Sequence, residues 1–325
     1  MLPQLAAYQT GSLQWFLILT LTVNPAVDRT VLVDHLVFED RAYILSQSEA
    51  AGGRGINASR VIHSFGGKTA AILAAGGETG AQIQDLLKND GFPSYVVPIH
   101  SESRTNLTIS DKQGLTVKLN ELGASLDESE LRALKDMVEA RIKKASWLMI
   151  CGSLPPGVPP HFYCDLIELA RAKSVNTLLD TDGDALLHGL EARPTVVTPN
   201  QHEAERLLNR ALLTRSQFIE AAQRIKTMGP ESVILSLGSR GVVASDGNEL
   251  VEALPPRIDV LCPIGAGDAL AAAFVWSMEK KWPFAEALRW GVAAGSASAA
   301  QPGMNFASLT QTKQMYRHVE VRPAR

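Results

Sequence analysis

Two glycines and an aspartate open an amphipathic segment of the chain, at Gly265, Ala266, Gly267 and Asp268. Glycines let the backbone approach a ligand closely, and the unpaired amides of a helix N-terminus attract an anion. A carboxylate beside that anion can accept the proton of an attacking hydroxyl. The segment therefore predicts phosphoryl transfer with Asp268 as base. The alternative is an aspartate that merely caps a helix after a glycine turn.

A second glycine-rich segment, A-G-G-R-G-I-N at residues 51–57, also precedes helical spacing of apolar residues. It supplies a cation, Arg54, and an amide, Asn57, which can bond the hydroxyls of a polyol or its phosphate. A flexible strand-to-helix turn would have the same composition. The segment is not a Walker A loop, and no dinucleotide fingerprint follows the first predicted strand.

Three further turns follow predicted buried strands, at residues 152–157, 200–203 and 236–241. Because ligands bind at the carboxyl edge of parallel strands, these turns are expected to face one crevice. Asn200 and Glu203, three residues apart at a helix start, could hold the water shell of Mg²⁺. The alternative for Glu203 is a first-turn charge that complements the helix dipole. The seven histidines have no metal-ligand spacing, so no transition-metal site is predicted.

The elements that must position these turns alternate between short apolar runs and helical spacing, which predicts an α/β fold with a mainly parallel sheet. Strands are predicted at residues 13–23, 147–151, 177–179, 195–197 and 232–235. Helices are predicted near residues 58–65, 128–144, 160–173, 202–211, 216–228, 268–280 and 284–300. The sequence D-G-N at residues 246–248, between two apolar runs, predicts a hairpin.

Two segments, residues 29–48 and 95–122, are strand-like and carry no helical period. They are expected to pair with each other in a small sheet that stands off the main domain as a lid. Such a sheet cannot bury its apolar, β-branched residues alone. A homodimer through the lids would cover that face and protect the sheet edges, whereas a lid folded back on its own domain would leave a monomer.

Composition restricts the class of partner and the compartment. The 325 residues carry a net charge of −3, so no cationic face for nucleic acid is expected. Three cysteines without a CxxC pair suit a reducing compartment, which predicts a cytoplasmic location. The apolar run at residues 13–23 lacks a preceding cation and is too short to span a membrane, so it predicts a first strand and no membrane partner. Residues 1–14 are expected to be an N-terminal extension of an α/β domain spanning 15–325.

Six motifs occur together and in a characteristic order from residue 18 to the C-terminus. They are T-V-N-P-A-V-D at 22–28, G-G-R-G-I-N at 52–57, R-T-N at 104–106, G-S-L-P-P-G at 152–157, T-P-N-Q-H-E at 198–203 and G-A-G-D at 265–268. The combination resembles the PfkB branch of the ribokinase-like sugar kinases, and within it the phosphofructokinase and tagatose-6-phosphate kinase group.

That resemblance implies a doubly wound α/β domain with a β-sheet lid, a homodimer, and Mg²⁺-assisted in-line transfer from ATP to a ketohexose phosphate. The acceptor would be fructose 1-phosphate, which we place first, fructose 6-phosphate or tagatose 6-phosphate. The residues implied to bind the acceptor are Asp28, Gly52, Gly53, Arg54, Asn57, Asn106 and Ser153, with Arg41 and Arg104 gripping its phosphate. Those implied on the nucleotide and Mg²⁺ side are Asn200, Glu203, Ser236, Gly238, Ser239 and Gly241, with Gly265, Ala266, Gly267 and Asp268 between the two ligands.

Two positions depart from the family pattern. Thr198 stands where the family usually has lysine, which removes an expected nucleotide contact, and Arg54 stands where many relatives have lysine. Two rival functions stay open at this point. A kinase of an unphosphorylated sugar or nucleoside would not need Arg41 and Arg104, and a noncatalytic sugar-phosphate sensor would be consistent with Thr198 but not with a retained Asp268.

Overall fold

The computed structural model describes residues 17–37, 39–303 and 305–324. Their strands form one sheet of ten strands and one of four. The strands are β1 (Leu17–Thr22), β2 (Ala26–Val33), β3 (Ile44–Gly52), β4 (Thr69–Ala75), β5 (Ser94–Pro98), β6 (Arg104–Asp111), β7 (Thr116–Asn120), β8 (Ala145–Cys151), β9 (Asn176–Asp180), β10 (Val196–Val197), β11 (Ser232–Ser236), β12 (Val242–Ser245), β13 (Leu250–Leu254) and β14 (Glu320–Pro323). The helices are α1 (Arg54–Ser64), α2 (Gly77–Leu87), α3 (Glu128–Ile142), α4 (Phe162–Ala172), α5 (Gly183–Glu191), α6 (Gln201–Leu208), α7 (Arg215–Thr227), α8 (Ala266–Glu279), α9 (Phe284–Ala299) and α10 (Leu309–Tyr316).

The central strand β1 divides its buried side chains between two cores because successive residues of a strand point to opposite faces. Leu19 and Leu21 belong to a core shared with α3, α4, α5 and α7. Ile18 belongs to a second core shared with α1, α8 and α9. Helices therefore cover both faces of the large sheet, which confirms the predicted α/β class.

The order of the large sheet is β14-β13-β12-β11-β10-β9-β8-β1-β4-β5. From β5 to β11 all pairs are parallel, and β12, β13 and β14 add antiparallel strands at one edge. The chain leaves β1 towards β4 and β5, then returns to β8 on the other side of β1. The ends of β1, β8 and β9 therefore surround a topological switch point, where open α/β sheets bind ligands.

The small sheet has the order β3-β2-β6-β7 and confirms that the two strand-like segments pair with each other. Its second segment begins later than predicted. Residues 95–98 belong to β5, which pairs with β4 in the large sheet, so the small sheet takes only β6 and β7 from the predicted range 95–122. The composition of residues 95–98 predicts a lid strand equally well, because β-branched residues occur in the strands of either sheet. Only the pairing partner decides which sheet the strand joins. We call this four-stranded sheet the lid.

Most predicted elements are present, including the hairpin of β12 and β13 around residues 246–248. Helix α1 begins at Arg54, earlier than its apolar spacing indicates, because its N-cap is Gly53 and no side chain caps it. Helix α2 was missed because its start also lacks a local capping side chain. Instead, Glu102, in the loop between β5 and β6, accepts hydrogen bonds from the backbone amides of Glu78 and Thr79.

Two predictions concern residues outside the described ranges. The expected N-terminal extension, residues 1–14, lies there entirely, as do residues 13–16 of the predicted first strand. Within the described part of the chain, no helix combines the length and the apolar character that crossing a membrane requires.

Candidate active site

The first turn of α8 is open towards the crevice. Its N-cap, Gly265, has a φ of 78°, and a Cβ at this position would lie 2.8 Å from the ring of Phe306, so only glycine fits without displacement. Among the described residues, no side chain caps the turn. The backbone of Ala266 donates to Pro263, and Gly267 is exposed with open space where a side chain would be. This geometry leaves a helix N-terminus available to an anion.

Asp268 lies in that first turn, and its Oδ2 accepts a hydrogen bond of 2.7 Å from Nδ2 of Asn57 on α1. Desolvation raises the pKa of Asp268 to about 7, and the negative charge of Asp180 adds to the effect. The hydrogen bond from Asn57 and the charge of Arg54 oppose the rise. A carboxylate with this pKa is a stronger base near neutral pH than an ordinary aspartate, as a proton acceptor requires.

The lid contributes Asp28, which is close to the glycine turn before α1. A Cβ at Gly52 would lie 2.0 Å from Oδ2 of Asp28, so the approach depends on glycine. Oδ1 of Asp28 accepts a 2.8 Å hydrogen bond from Nδ2 of Asn106, its neighbour across β2 and β6. Burial raises the pKa of Asp28, against the hydrogen bond from Asn106 and the charge of Arg104. The structure therefore brings together Asp28, Gly52 and Asn106 as predicted.

Arg54, the first residue of α1, reaches a group of carboxylates that we call the acidic cluster, Asp180, Asp182 and Glu203. Its Nη1 lies 2.9 Å from Oδ1 of Asp180, and its Nη2 lies 3.2 Å from Oε1 of Glu203. Asp182 is farther, at 3.7 Å from Nη2. These charges, Asp180 first, raise the pKa of Arg54, so the guanidinium stays charged.

Asn200 and Glu203 form a capping box at the start of α6. The side chain of Asn200 accepts from the Glu203 amide, and Oε2 of Glu203 accepts from the Asn200 amide, each at 2.9 Å. The side chain of Glu203 is 2% exposed. Burial raises its pKa, and the charge of Arg54 opposes the rise. One oxygen of Glu203 thus caps the helix and the other faces Arg54, and the role of Glu203 at Mg²⁺ stays a prediction.

The structure brings to the crevice one carboxylate that the sequence did not predict there, Asp180. It ends β9 and pairs with Cys151 at the end of β8, next to the switch point. A signal was present, because three acidic residues occur in D-T-D-G-D at 180–184, directly after a predicted buried strand. Acidic residues at the carboxyl end of a parallel strand point to the ligand edge of the sheet.

Arg104 opens the lid strand β6 and lines a cavity of about 510 Å³ with Ser153 and the start of α5. Its Nη1 and Nη2 donate to the carbonyls of Glu121 and Asn24, at 2.9 and 3.0 Å. The Nε of Arg104 is buried and has no hydrogen-bond partner among the described residues. Arg104 therefore joins the two chain segments that enter the lid and keeps one unpaired donor.

The structure does not bring Arg41 to this crevice. Arg41 is exposed in the loop between β2 and β3, and its amide donates to the side chain of Asp40. The loop leaves β2 at Val33, five residues beyond Asp28, which is on the order of 16 Å along a strand. Its expected contact with the acceptor remains a prediction.

The residues expected on the nucleotide side follow β10 and β11. Asn200 and Ser236 form a β-bridge, which places these two turns side by side. Gly238 and Ser239 are exposed in a 3₁₀ turn, Gly238–Arg240, which Gly241 closes with a φ of 87°.

Thr198 carries a buried hydroxyl without a partner in the described chain. Gly53, with a φ of 133°, completes the turn before α1.

The acidic cluster has the donor chemistry of a divalent-cation site. Mg²⁺ prefers carboxylate oxygens and usually binds few protein ligands. Asp180 and Glu203 share one cation in this structure, the guanidinium of Arg54, which bonds each of them with a different nitrogen. The chemistry of this donor set fits the preference of Mg²⁺ for carboxylate oxygens.

Comparison with known proteins agrees with this geometry. The chain is 32% identical to the ATP-dependent 6-phosphofructokinase isozyme 2 of Escherichia coli K12, over 93% of this chain and 98% of the relative. It is 25% identical to the 1-phosphofructokinase of Vibrio cholerae, over 94% of this chain and 96% of the relative. The solved structure of the tetrameric inhibited form of phosphofructokinase-2 from Escherichia coli superposes with a TM-score of 0.85 at 31% identity, covering 93% of this chain and 98% of that one.

The model of the pfkB family of carbohydrate kinases matches residues 22–311, which is most of the chain. The matched range contains the glycine turn before α1, the lid, the acidic cluster and the start of α8. On these grounds the chain belongs to the pfkB family of carbohydrate kinases.

Proposed function

We propose that this kinase transfers the γ-phosphoryl group of ATP to a hydroxyl of a ketohexose phosphate, with Asp268 as the base. The observation that carries the proposal is Asp268 itself, a partly buried carboxylate with a pKa raised to about 7 at the open N-terminus of α8. The relatives named as phosphofructokinases support the acceptor class.

The proposed reaction is an in-line displacement. The acceptor hydroxyl loses its proton to Asp268 while its oxygen forms a bond to the γ-phosphorus. The bond from that phosphorus to the bridging oxygen of ADP breaks, and ADP leaves with the electron pair. The amides of Gly267 and Asp268 hold the charge on the transferred group. Asn57 keeps the Asp268 carboxylate in place through its 2.7 Å hydrogen bond.

Asp28, Asn106 and the turn at residues 52–57 would bind the sugar hydroxyls, and Arg104, which lines the neighbouring cavity, would bind the phosphate. On the other side, Asn200 and the turn at residues 236–241 would bind the nucleotide. Mg²⁺ bound by Asp180 and Glu203 would neutralise phosphate charge.

The choice of acceptor lies between fructose 1-phosphate, fructose 6-phosphate and tagatose 6-phosphate. One observation favours a rival, a kinase of an unphosphorylated sugar, because only one of the two predicted phosphate-binding arginines, Arg104, lines the crevice. A coupled assay of ADP release over the three phosphates and their free sugars separates these possibilities. Turnover of a free sugar above that of every phosphate would reject the proposed substrate class.

We further propose that two copies associate through the lid in the cytoplasm. Three large apolar side chains of the lid strands are more than two-fifths exposed in the single chain, namely Ile44, Leu45 and Leu119. The strands β3 and β7 are edges of the small sheet. The described cysteines, Cys151, Cys164 and Cys262, are all unbridged, which suits a reducing compartment.

We expect Asp268→Asn to lower turnover by roughly 100-fold or more while ATP and the acceptor still bind, because the change removes the base and keeps its size. Turnover comes from the coupled assay and binding from calorimetry. The matched control is Asp165→Asn, which alters a first-turn carboxylate of α4 that pairs with Lys135. Near-normal turnover in Asp268→Asn would reject the assignment of the base.

The raised pKa of Asp268 predicts two pH dependences. The value of kcat/KM should fall as the pH drops below about 7, because the protonated carboxyl cannot accept a proton. Stability should change in the opposite sense. A carboxyl whose pKa rises on folding stabilises the fold when protonated, and this contribution is lost as the pH rises from about 4 to about 7.

Asp268→Asn should therefore be more stable than the native protein at pH 8, on the order of 1–2 kcal/mol. Thermal unfolding at pH 5 and pH 8 measures this difference, which should shrink at the lower pH. A native kcat/KM that stays level from pH 8 to pH 5.5 would contradict the raised pKa.

We expect Arg104→Ala to raise KM for the phosphorylated acceptor by roughly 10–150-fold, since one charge-assisted contact contributes about 1.5–3 kcal/mol. KM for ATP should change far less. Arg29→Ala is the control, because Arg29 is a cation of the same sheet whose partner is Glu49. Equal rises of both KM values in Arg104→Ala would indicate that Arg104 only holds the lid segments together.

Sedimentation at micromolar concentration should give a species larger than the 35.0 kDa chain. Leu119→Glu places a charge on the exposed face of the lid and should shift the protein towards the monomer, whereas Leu213→Glu, at an exposed site on the connection between α6 and α7, should not. A native monomer with full activity would refute association through the lid. An assembly that Leu119→Glu leaves intact would place the interface elsewhere.

A further inference from the structure

Arg54 occupies the space between the two carboxylates that fit a divalent cation. Its Nη1 bonds Oδ1 of Asp180 at 2.9 Å, and its Nη2 bonds Oε1 of Glu203 at 3.2 Å. Both carboxylates are largely removed from solvent, with 10% and 2% of their side chains exposed. Two desolvated negative charges need a counter-ion, and in this structure the counter-ion is a side chain of the same protein.

The two oxygens of Glu203 are not equivalent. Oε2 accepts the hydrogen bond from the Asn200 amide that closes the capping box of α6, at 2.9 Å. Oε1 is therefore the oxygen left for a cation, and it is the oxygen that Arg54 bonds. A metal ion on Oε1 would meet the guanidinium at the same point, where two positive groups repel each other. Arg54 and a divalent cation would therefore disfavour each other at this oxygen.

Arg54 also has an alternative position nearby. Its Nη2 lies 3.7 Å from Oδ2 of Asp182, whose side chain is 38% exposed. Arg54 and Asp182 both line a cavity of about 870 Å³ beside α6. Asp182 is therefore within reach of the guanidinium while Arg54 remains paired with Asp180.

We propose that Arg54 is an internal counter-ion that competes with a divalent cation for Glu203, so that cation binding requires Arg54 to move towards Asp182. The competition itself depends only on the carboxylates and Arg54, while its meaning for phosphoryl transfer rests on the proposed function. Without a divalent cation, Arg54 offsets part of the negative charge of the acidic cluster.

The test is the binding of Mn²⁺, a probe for Mg²⁺, to the full-length protein without nucleotide or sugar. Electron paramagnetic resonance counts free Mn²⁺ in a titration of native protein, Arg54→Gln and Arg54→Lys. We expect Arg54→Gln to bind Mn²⁺ at least roughly tenfold more tightly, because the ion no longer displaces a charge-assisted hydrogen bond. Arg54→Lys should fall between the two, since one ammonium cannot bond both carboxylates as a guanidinium does.

Arg210→Gln is the matched control. Arg210 lines the same cavity and loses the same charge, but its partner is Glu220, at 3.1 Å. This variant should bind Mn²⁺ as the native protein does. If Arg210→Gln bound Mn²⁺ as much more tightly as Arg54→Gln does, the loss of any positive charge near the cavity would explain the effect. That result would overturn direct competition between Arg54 and the cation.

Thermal unfolding gives a second measurement. Mg²⁺ should raise the Tm of Arg54→Gln more than that of the native protein, because the metal supplies the missing counter-ion. If Arg54→Gln does not fold without a divalent cation, the comparison is made with Arg54→Lys. Unchanged or weaker Mn²⁺ binding in the measured variant overturns the proposal, as does the absence of Mn²⁺ binding by every variant. A failure of the kinase assay would not affect these readouts.

Discussion

The crevice depends on how buried negative charge is balanced. Asp180, Glu203 and Asp268 come from three different elements, and their charges act on one another across the ends of the parallel strands. Carboxylates in such surroundings repel each other and are poorly hydrated, which disfavours their burial together. The guanidinium of Arg54 offsets part of this penalty, because two of its nitrogens bond two of the carboxylates directly.

Arg54 can do this only because the backbone before α1 lies unusually close to β1 and the lid. A Cβ at Gly55 would be 2.5 Å from Oγ1 of Thr22 at the end of β1, and a Cβ at Gly52 would overlap the carboxylate of Asp28. These glycines are therefore needed because they have no Cβ, which lets the backbone approach β1 and the lid closely. They set the start of α1 against the switch point, and so determine how far the Arg54 side chain reaches.

The negative charge of Asp268 is not compensated by a direct ion pair among the described residues, and this suits its proposed role as the base. Asp268 has a hydrogen bond from Asn57 but no direct ion pair among the described residues, so desolvation raises its pKa to about 7. A fully paired aspartate would be a weak base, and a fully hydrated one would be no better. The native fold thus keeps one carboxylate in an unfavourable environment at the position proposed for proton transfer, while its neighbours Asp180 and Glu203 pair with Arg54.

The sequence by itself determined the α/β class, most helices and strands, and the segments that form the crevice, because apolar spacing and glycine turns are local features that report local structure. It could not determine which side chains meet. Arg54 and Asp180 are 126 residues apart, and Asn57 and Asp268 are 211 apart, so these contacts depend on the strand order and on helix packing. The same reason explains three other outcomes. Residues 95–98 joined the large sheet, Arg104 bonded two carbonyls of the lid entrance, and Arg41 stayed on an exposed loop, since only the tertiary structure decides the partner of a strand or of a long cationic side chain.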